Sequence, residues 1–341
     1  MNLKKGPSPS EKRVRIALDA MGGDYAPEAI VAGALLAARE MPVDILLVGD
    51  ETKIKKLLDA EGAVPDSISV VHAPDVIAMG AHPVEAVKRQ KDSSIVVGAR
   101  LVKEGAADAL VSAGNSGAAM AASLLTWGRI QGVDRPAIGA ALPGLRGPVL
   151  LLDAGAQVDC RPSHLVQFAV MGSTYAERVL GIERPRVGLL NIGEEESKGC
   201  ELALETYPRL KELPGIHFIG NVEGRDIMTG AVDVVVCDGF VGNIVLKFAE
   251  GMGAMVSDLL RQTLLQSNRA KLGGILLRPA LRSIWRTMDY TEYGGAPLLG
   301  VRGVSIISHG ASNGKAIRNA VRVARESVLA RIVSAIERQV V

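Results

Sequence analysis

Short apolar runs alternate with segments of helical period along most of this chain, and that alternation alone predicts a fold class. Runs at 15–18, 44–48, 69–72, 109–112 and 137–141 read as strands, and the pattern resumes at 149–152, 186–191, 217–220, 232–237 and 304–308. Between them apolar positions recur every three or four residues, as on one face of a helix. Strand then helix, repeated, implies right-handed crossovers and a mostly parallel sheet, so the class is α/β. After residue 12 no stretch has the composition of a linker, and 13–341 is expected to be a single domain. Residues 1–12, polar and Pro-containing, read as a disordered tail.

Two stretches share one design. Gly105-Ala-Ala-Asp-Ala-Leu-Val-Ser-Ala-Gly-Asn-Ser-Gly117 aligns without a gap on Gly230-Ala-Val-Asp-Val-Val-Val-Cys-Asp-Gly-Phe-Val-Gly242. Each reads as a Gly turn, an Asp opening a buried strand, and a Gly-x-x-Gly loop feeding a helix. Such a loop aims backbone N–H groups and a helix N-terminus at whatever lies above the strand end, which suits an anion such as phosphate. With Asn115, Ser116 and Gly117 at one turn and Asp238 and Asn243 at the other, the pair predicts a polar cleft where two half-sheets meet.

Composition adds limits. Hydrophobic residues make up 48% of the 341, aromatics only 3%, and there are 38 glycines, a mix that fits helix-covered parallel strands. Lys plus Arg (39) nearly balance Asp plus Glu (37), which gives nucleic-acid binding no support. Cys160, Cys200 and Cys237 are odd in number and lack CxxC spacing, so the reading is reduced, cytosolic thiols with no disulfide framework and no structural metal. No apolar run approaches the roughly 18 residues a membrane span needs.

The segment 255–288 stands apart. It has no acidic residue between Asp258 and Asp289, while Arg261, Arg269, Lys271, Arg278, Arg282 and Arg286 interleave with Leu259, Leu264, Leu276, Trp285 and other apolar residues. With a break at Gly273-Gly274 it reads as a protruding basic amphipathic helical hairpin. Packing in a dimer and docking onto anionic lipid or an acidic partner are both open.

Candidate chemistry lies mostly in loops after strands. Asp19, Gly22, Gly23 and Asp24 follow the first strand, where Asp24 either caps the next helix or lines a ligand crevice with Asp19. Asn191 opens a polar loop in which Lys198 either neutralises phosphate or pairs with Glu194 to Glu196. Asn221, Glu223 and Arg225 follow the next strand. Lys247, one turn beyond Asn243, faces the cleft or the surface, and His309 closes the last strand. Walker A, Gly-x-Ser-x-Gly and a post-strand Gly-x-Gly-x-x-Gly are all missing, which weighs against ATP, nucleophile-elbow and NAD chemistry.

These motifs resemble the bacterial phosphate acyltransferases of phospholipid synthesis. The likeness is carried by Ile16-Ala-Leu-Asp-Ala-Met-Gly-Gly-Asp-Tyr-Ala-Pro27, Ser112-Ala-Gly-Asn-Ser-Gly-Ala118, Asn191-Ile-Gly-Glu-Glu-Glu-Ser-Lys-Gly199, Gly220-Asn-Val-Glu-Gly-Arg-Asp226, Asp238-Gly-Phe-Val-Gly-Asn-Ile-Val-Leu-Lys247, Tyr293-Gly-Gly-Ala-Pro-Leu-Leu-Gly300 and His309-Gly310. One departure is Gln157, where that family's pattern has Asn. The resemblance implies a three-layer α/β/α fold related to phosphate acetyltransferases and isocitrate dehydrogenase-like enzymes, a homodimer, and a cytoplasmic location on the inner face of the cell membrane. It also implies acyl transfer from acyl-acyl carrier protein to inorganic phosphate with no cofactor. In that reaction Lys198, Asn221, Asp238 and Asn243 are the expected catalytic residues. Phosphate or substrate contacts are expected from Asp19, Gly22, Gly23, Asp24, Asn115, Ser116, Gly117, Asn191, Glu223, Arg225, Lys247 and His309. The rivals are an acetyl-CoA-dependent phosphate acetyltransferase, a non-catalytic membrane-docked scaffold for acyl carrier protein, and an NAD-dependent decarboxylating dehydrogenase.

Overall fold

The computed structural model describes residues 13–340 apart from Asn268, Gly274 and 279–289. Its strands are β1 (Val14–Asp19), β2 (Val43–Gly49), β3 (Ile68–His72), β4 (Ala109–Ser112), β5 (Ala137–Leu142), β6 (Val149–Leu152), β7 (Arg186–Leu190), β8 (His217–Val222), β9 (Val234–Val236), β10 (Ala296–Leu299) and β11 (Val304–Ile307). Its helices are α1 (Glu28–Glu40), α2 (Glu51–Ala60), α3 (Pro83–Arg89), α4 (Ser94–Lys103), α5 (Ser116–Trp127), α6 (Pro162–Arg178), α7 (Glu201–Lys211), α8 (Gly239–Leu265), α9 (Gly314–Leu329) and α10 (Ile332–Val340).

The strands form one sheet in the order β3-β2-β1-β4-β11-β10-β5-β6-β9-β7-β8. Within β3-β2-β1-β4-β11 every ladder is parallel, and likewise within β6-β9-β7-β8. Between these halves β11, β10, β5 and β6 pair antiparallel in succession. Three reversals separate the halves, so the two parallel halves run in opposite directions. The six residues between β5 and β6 are too few for a crossover, and a hairpin results.

All ten strands predicted from the sequence are present. β10 is an addition, because Pro297 argues against a strand in a sheet interior. It is accommodated because β10 is short and divides its pairing: Ala296 and Pro297 face β11, while Leu298 and Leu299 face β5.

Period-two alternation sends side chains to two helical layers. From β1, Ile16 and Leu18 join the core under α1, α9 and α6, and Ala17 turns to the other face under α4 and α5. From β6, Leu150 and Leu152 join the first core, and Val149 and Leu151 join a smaller cluster on which Val245, Leu246 and Ala249 of α8 pack. The second helical layer is therefore in two parts, one under α4 and α5 and one under α8.

The repeated Asp residues have the same task. Asp108 accepts from the backbone N of Arg15 (2.9 Å) and from its Nη2 (2.8 Å), tying β4 to the start of β1. Asp233 does the same with the backbone N and Nη2 of Arg186, both 2.8 Å, tying β9 to the start of β7.

The hairpin differs in its limits. α8 begins at Gly239 rather than near 255, and of its residues only Gly239 and Gly242 are buried. The turn falls at Gln266–Ser267, where Ser267 Oγ accepts from Ala270 N (3.1 Å), and not at Gly273, which lies in helical backbone. Arg282, Trp285 and Arg286 lie outside the described residues. Leu259, Arg261, Lys271, Leu276 and Arg278 are exposed, and Leu264 is half-buried.

Asp233 is the less exposed of the two clamping carboxylates (18% against 28%). Asp233→Ala is expected to cost about 2–3 kcal/mol, since it orphans a backbone N–H and a guanidinium, and Asp108→Ala less. Urea unfolding measures both; changes under about 0.5 kcal/mol would contradict the clamp.

Candidate active site

At the first repeated turn, Asn115 is the N-cap of α5: its Oδ1 accepts from Ala118 N (3.0 Å) and its Nδ2 donates to Met79 O (2.7 Å) and Ala81 O (3.2 Å). The side chain expected to contact phosphate is thus committed to holding the turn. The cap is neutral, and it leaves the N–H groups of Ser116 and Gly117 to be met from outside the helix. Gly117 is required by packing, because a Cβ there would lie 2.6 Å from Pro83 Cγ at the start of α3.

Asp19 lies beneath this turn, not in a crevice. It is 2% exposed and accepts from Ser112 Oγ (2.7 Å) and Met21 N (3.2 Å), while Ser112 Oγ accepts from Gly114 N (3.1 Å). Burial pushes its carboxyl above the usual range, against the bonds from Ser94 and Ser112. Gly22 covers it so closely that a Cβ would lie 2.5 Å from Asp19 Oδ2. Gly23 brings the chain across to β11, where Asp24 N donates to Gly310 O (2.8 Å), and the exposed Asp24 caps no helix, since α1 starts after Pro27.

The second turn has a different chemistry. Asp238 caps α8 by accepting from Phe240 N and Val241 N, both 2.9 Å, and Gly239 N donates to Gln157 O (2.8 Å). A carboxylate already occupies this helix N-terminus, so it offers an incoming anion nothing. The expectation that this second turn also suits an anion is corrected: Asp238 already fills it.

Beneath the second turn lies Asp153, the counterpart of Asp19. Oδ1 accepts from Ile138 N (2.9 Å), Gly155 N (3.2 Å) and Ala156 N (3.0 Å), and Oδ2 from Ala156 N (3.0 Å) and Gln157 N (2.6 Å). Burial raises its pKa in spite of these donors. Cys160 beside it is pushed up to about 12, by burial first and then by Asp153 and Asp238, and buried Cys237 is pushed up by burial. Neither is a thiolate nucleophile near neutral pH.

Between the two parts of the second helical layer lies a cavity of about 350 Å³. Its floor is the open face of the antiparallel centre: Ile307, Ala296, Ile138 and Ala140. Ser116, Ser308, His309 and Ser312 line it from one half of the chain, and Gly155, Asn243, Leu246, Lys247 and Glu250 from the other. Lys247 Nζ donates to Glu250 Oε2 (2.8 Å). His309 Nδ1 accepts from Ala311 N (3.1 Å), so a neutral ring carries its hydrogen on Nε2. Ser308 Oγ is buried in the wall without a partner.

Of the expected site residues, Ser116, Asn243, Lys247 and His309 share this cavity. Lys198 does not: it is exposed in the 191–199 loop, which Asn191 closes by donating from Nδ2 to Lys198 O (3.0 Å). Buried Asn221 holds the same loop through Glu195 O (2.9 Å), while Arg225 pairs with Glu223 (2.6 Å) and Glu223 N donates to Asp226. These residues end β7 and β8 at the far side of the sheet, which is why loop composition misdirected the reading.

Ser308, Glu250, Tyr293 and Thr291 also line the cavity and were not singled out; Ser312, whose place before α9 suggests a cap, lines it too, and the cap is Asn313. Glu250 was legible as the i+3 neighbour of Lys247; the serines carry no such signal. Among the described residues no group of three or more His, Cys, Asp or Glu side chains converges as a metal site requires.

A family model described as fatty acid synthesis protein matches residues 14–334. A phosphate acyltransferase of Heliobacterium modesticaldum is 57% identical over 328 residues, covering 96% of this chain and 98% of that one. Another, of Thermosynechococcus vestitus, is 56% identical over 318 residues, covering 93% and 92%. Among solved structures, the EutD phosphotransacetylase of Staphylococcus aureus superposes with a TM-score of 0.60 at 18% identity, and a phosphotransacetylase of Streptococcus pyogenes with 0.63 at 15%, each covering 93% of this chain and 94% of that one. They share the three-layer fold.

Because Asp19 has a raised folded pKa, its favourable contribution is full below the ordinary carboxylate value of about 3.9 and is lost as pH climbs through the folded value. The stability of the protein relative to Asp19→Asn should therefore fall as pH rises through that window. Denaturant unfolding of both across pH checks it; a pH-independent difference would contradict the buried, strained charge.

Proposed function

This chain belongs to the phosphate acyltransferase family, and from that premise we propose that it moves a long-chain acyl group from acyl carrier protein to inorganic phosphate. The reading is carried by one observation: a single cavity gathers hydroxyl donors, an imidazole and a lysine over an apolar floor.

A phosphate oxygen attacks the thioester carbonyl carbon, the C–S bond breaks, and the carrier's sulfur leaves with the electron pair as a thiolate, which takes up the proton that hydrogen phosphate gives up. A thiol of pKa about 8.5 is a good leaving group, so strong acid assistance is unnecessary. Catalysis then consists of holding a dianion against a carbonyl and stabilising the developing oxyanion. Phosphate sits at the N-terminus of α5, met by the N–H groups of Ser116 and Gly117 and by the hydroxyls of Ser116 and Ser308. Ser308 is given that role for its place in the cavity wall, beside His309 and Ser312. Lys247 supplies the positive charge, a role the sequence assigned to Lys198. Asn243 and His309 orient the carbonyl.

Two further associations belong to the same reading. Phe248, Met252, Met255 and Leu259 expose an apolar stripe along α8, which pairs with a second copy of the chain. The helical residues 269–273 and 275–278 carry Arg269, Lys271 and Arg278 among Leu272, Ile275, Leu276 and Leu277, all exposed, and this basic apolar surface meets anionic lipid headgroups. Among the described residues no helix is long and apolar enough to cross a membrane.

The direct assay incubates the protein with palmitoyl-acyl carrier protein, with and without phosphate, follows thiol release and traps acyl phosphate with hydroxylamine. Phosphate-dependent release with a trapped acyl product is expected. Release without phosphate would mean a thioesterase, and turnover of acetyl-CoA alone an acetyl-specific enzyme.

Lys247→Ala should lower kcat/KM for phosphate by roughly 10²-fold, the scale for losing one preorganised charge contact, while Lys198→Ala changes it little. The opposite ranking in steady-state kinetics would return the role to Lys198. For the helical pair, co-sedimentation should require anionic vesicles and weaken as salt rises; equal binding to neutral vesicles would contradict the electrostatic account.

A further inference from the structure

The polar groups of the cavity explain how it meets phosphate, but not why its floor is apolar and unfilled. Ile307, Ala296, Ile138 and Ala140 come from adjacent strands and lie on the face between the two clusters of the second layer. Their backbone is largely committed. Ile138 N donates to Asp153 and Ile138 O accepts from Ala154 N (2.8 Å), while Ala140 pairs with Leu151 and Ala296 with Ile307. A ligand lying here finds little to hydrogen-bond.

Resting on the acyl-transfer reading above, we infer that this floor is the site of the acyl chain, and that Ala140 and Leu246 set the chain length it accepts. The cavity's other candidate occupant is the phosphopantetheine arm of the carrier. That arm bears two amides, and burying them against side chains without donors or acceptors is costly, whereas methylenes gain from the same surface. At about 350 Å³ the space exceeds what an acetyl group fills.

The route of the chain follows from the alternation in β5. Ile138, Ala140 and Leu142 share one face; the first two line the cavity, and Leu142 is already part of the closed cluster beneath α8. Leu246 belongs to both, lining the cavity and packing on that cluster. The chain therefore runs from the thioester carbonyl near Ser116 and Ser308 across the floor toward Leu246, where the open space gives way to packed core. Ala140 is small at the step before this closure, and a longer side chain there would grow into the cavity.

The test measures phosphate-dependent kcat/KM for carrier-bound donors from decanoyl to stearoyl, in the unaltered protein, Ala140→Leu and Leu246→Ala. Ala140→Leu should lower palmitoyl relative to decanoyl turnover by about 10-fold or more, and Leu246→Ala should shift preference toward the longer chains. KM for phosphate should move far less than the chain-length ratio in both. If Ala140→Leu does not fold, the shift in the partly exposed Leu246→Ala decides alone. A uniform loss over all donors with a raised KM for the carrier substrate would give the floor to the phosphopantetheine arm and overturn the inference, as would an unmoved chain-length profile. In both cases phosphate-dependent turnover persists, whereas its absence from the unaltered protein with every donor would bring down the underlying reaction and this site with it.

Discussion

One buried carboxylate, Asp153, joins the antiparallel centre of the sheet to the second parallel half and to α8. It sits just past β6, where the antiparallel centre gives way to the second parallel half, and takes N–H bonds from β5 and from its own following loop. That loop in turn accepts from Gly239 N at the start of α8, and a Cβ on Gly242 would come within 1.9 Å of Asp153 O, so the first turn of α8 is seated directly on it. Asn243, Leu246, Lys247 and Glu250 face the cavity only because that seat fixes the helix. The cost of burying Asp153, seen in its raised pKa, is offset by donors that would otherwise themselves be unpaired.

The duplicated turn motif is used asymmetrically. Both copies clamp a neighbouring strand with Asp and Arg at one end and cover a buried Asp at the other. They differ in the residue that caps the helix. Asn115 is neutral and leaves the first turn of α5 receptive to an anion, whereas the carboxylate of Asp238 fills the start of α8. In the proposed reading one turn of the pair receives phosphate, and the other carries the helix that brings Lys247 to it.

Much of this was legible in the sequence. The strand pattern located ten strands because most are short apolar runs with buried positions, and Ser116, Asn243, Lys247 and His309 meet in one cavity. The opposed direction of the halves was implicit in the short β5–β6 connection but overlooked, and the place of β7 and β8 at the edge of the sheet sets the Asn191–Lys198 and Asn221–Arg225 loops apart from the cavity. Loop composition states that residues are polar and says nothing about how far across a sheet the strand before them lies. β10 was missed because its Pro obeys a local rule that the divided pairing relaxes. Asn115, Asp19 and Asp238 were read as ligand contacts for the same reason they are structural: short polar side chains at strand ends bond to backbone amides, whether or not a ligand lies above.

The central claim is that the cavity over β10 and β5 is where phosphate meets the acyl donor. A crystal structure of the protein with inorganic phosphate bound tests it most directly. The account predicts phosphate at the N-terminus of α5, within hydrogen-bond reach of Ser116 and Ser308 and facing Lys247. Phosphate held instead by Lys198, Asn221 and Arg225 at the ends of β7 and β8 would contradict it.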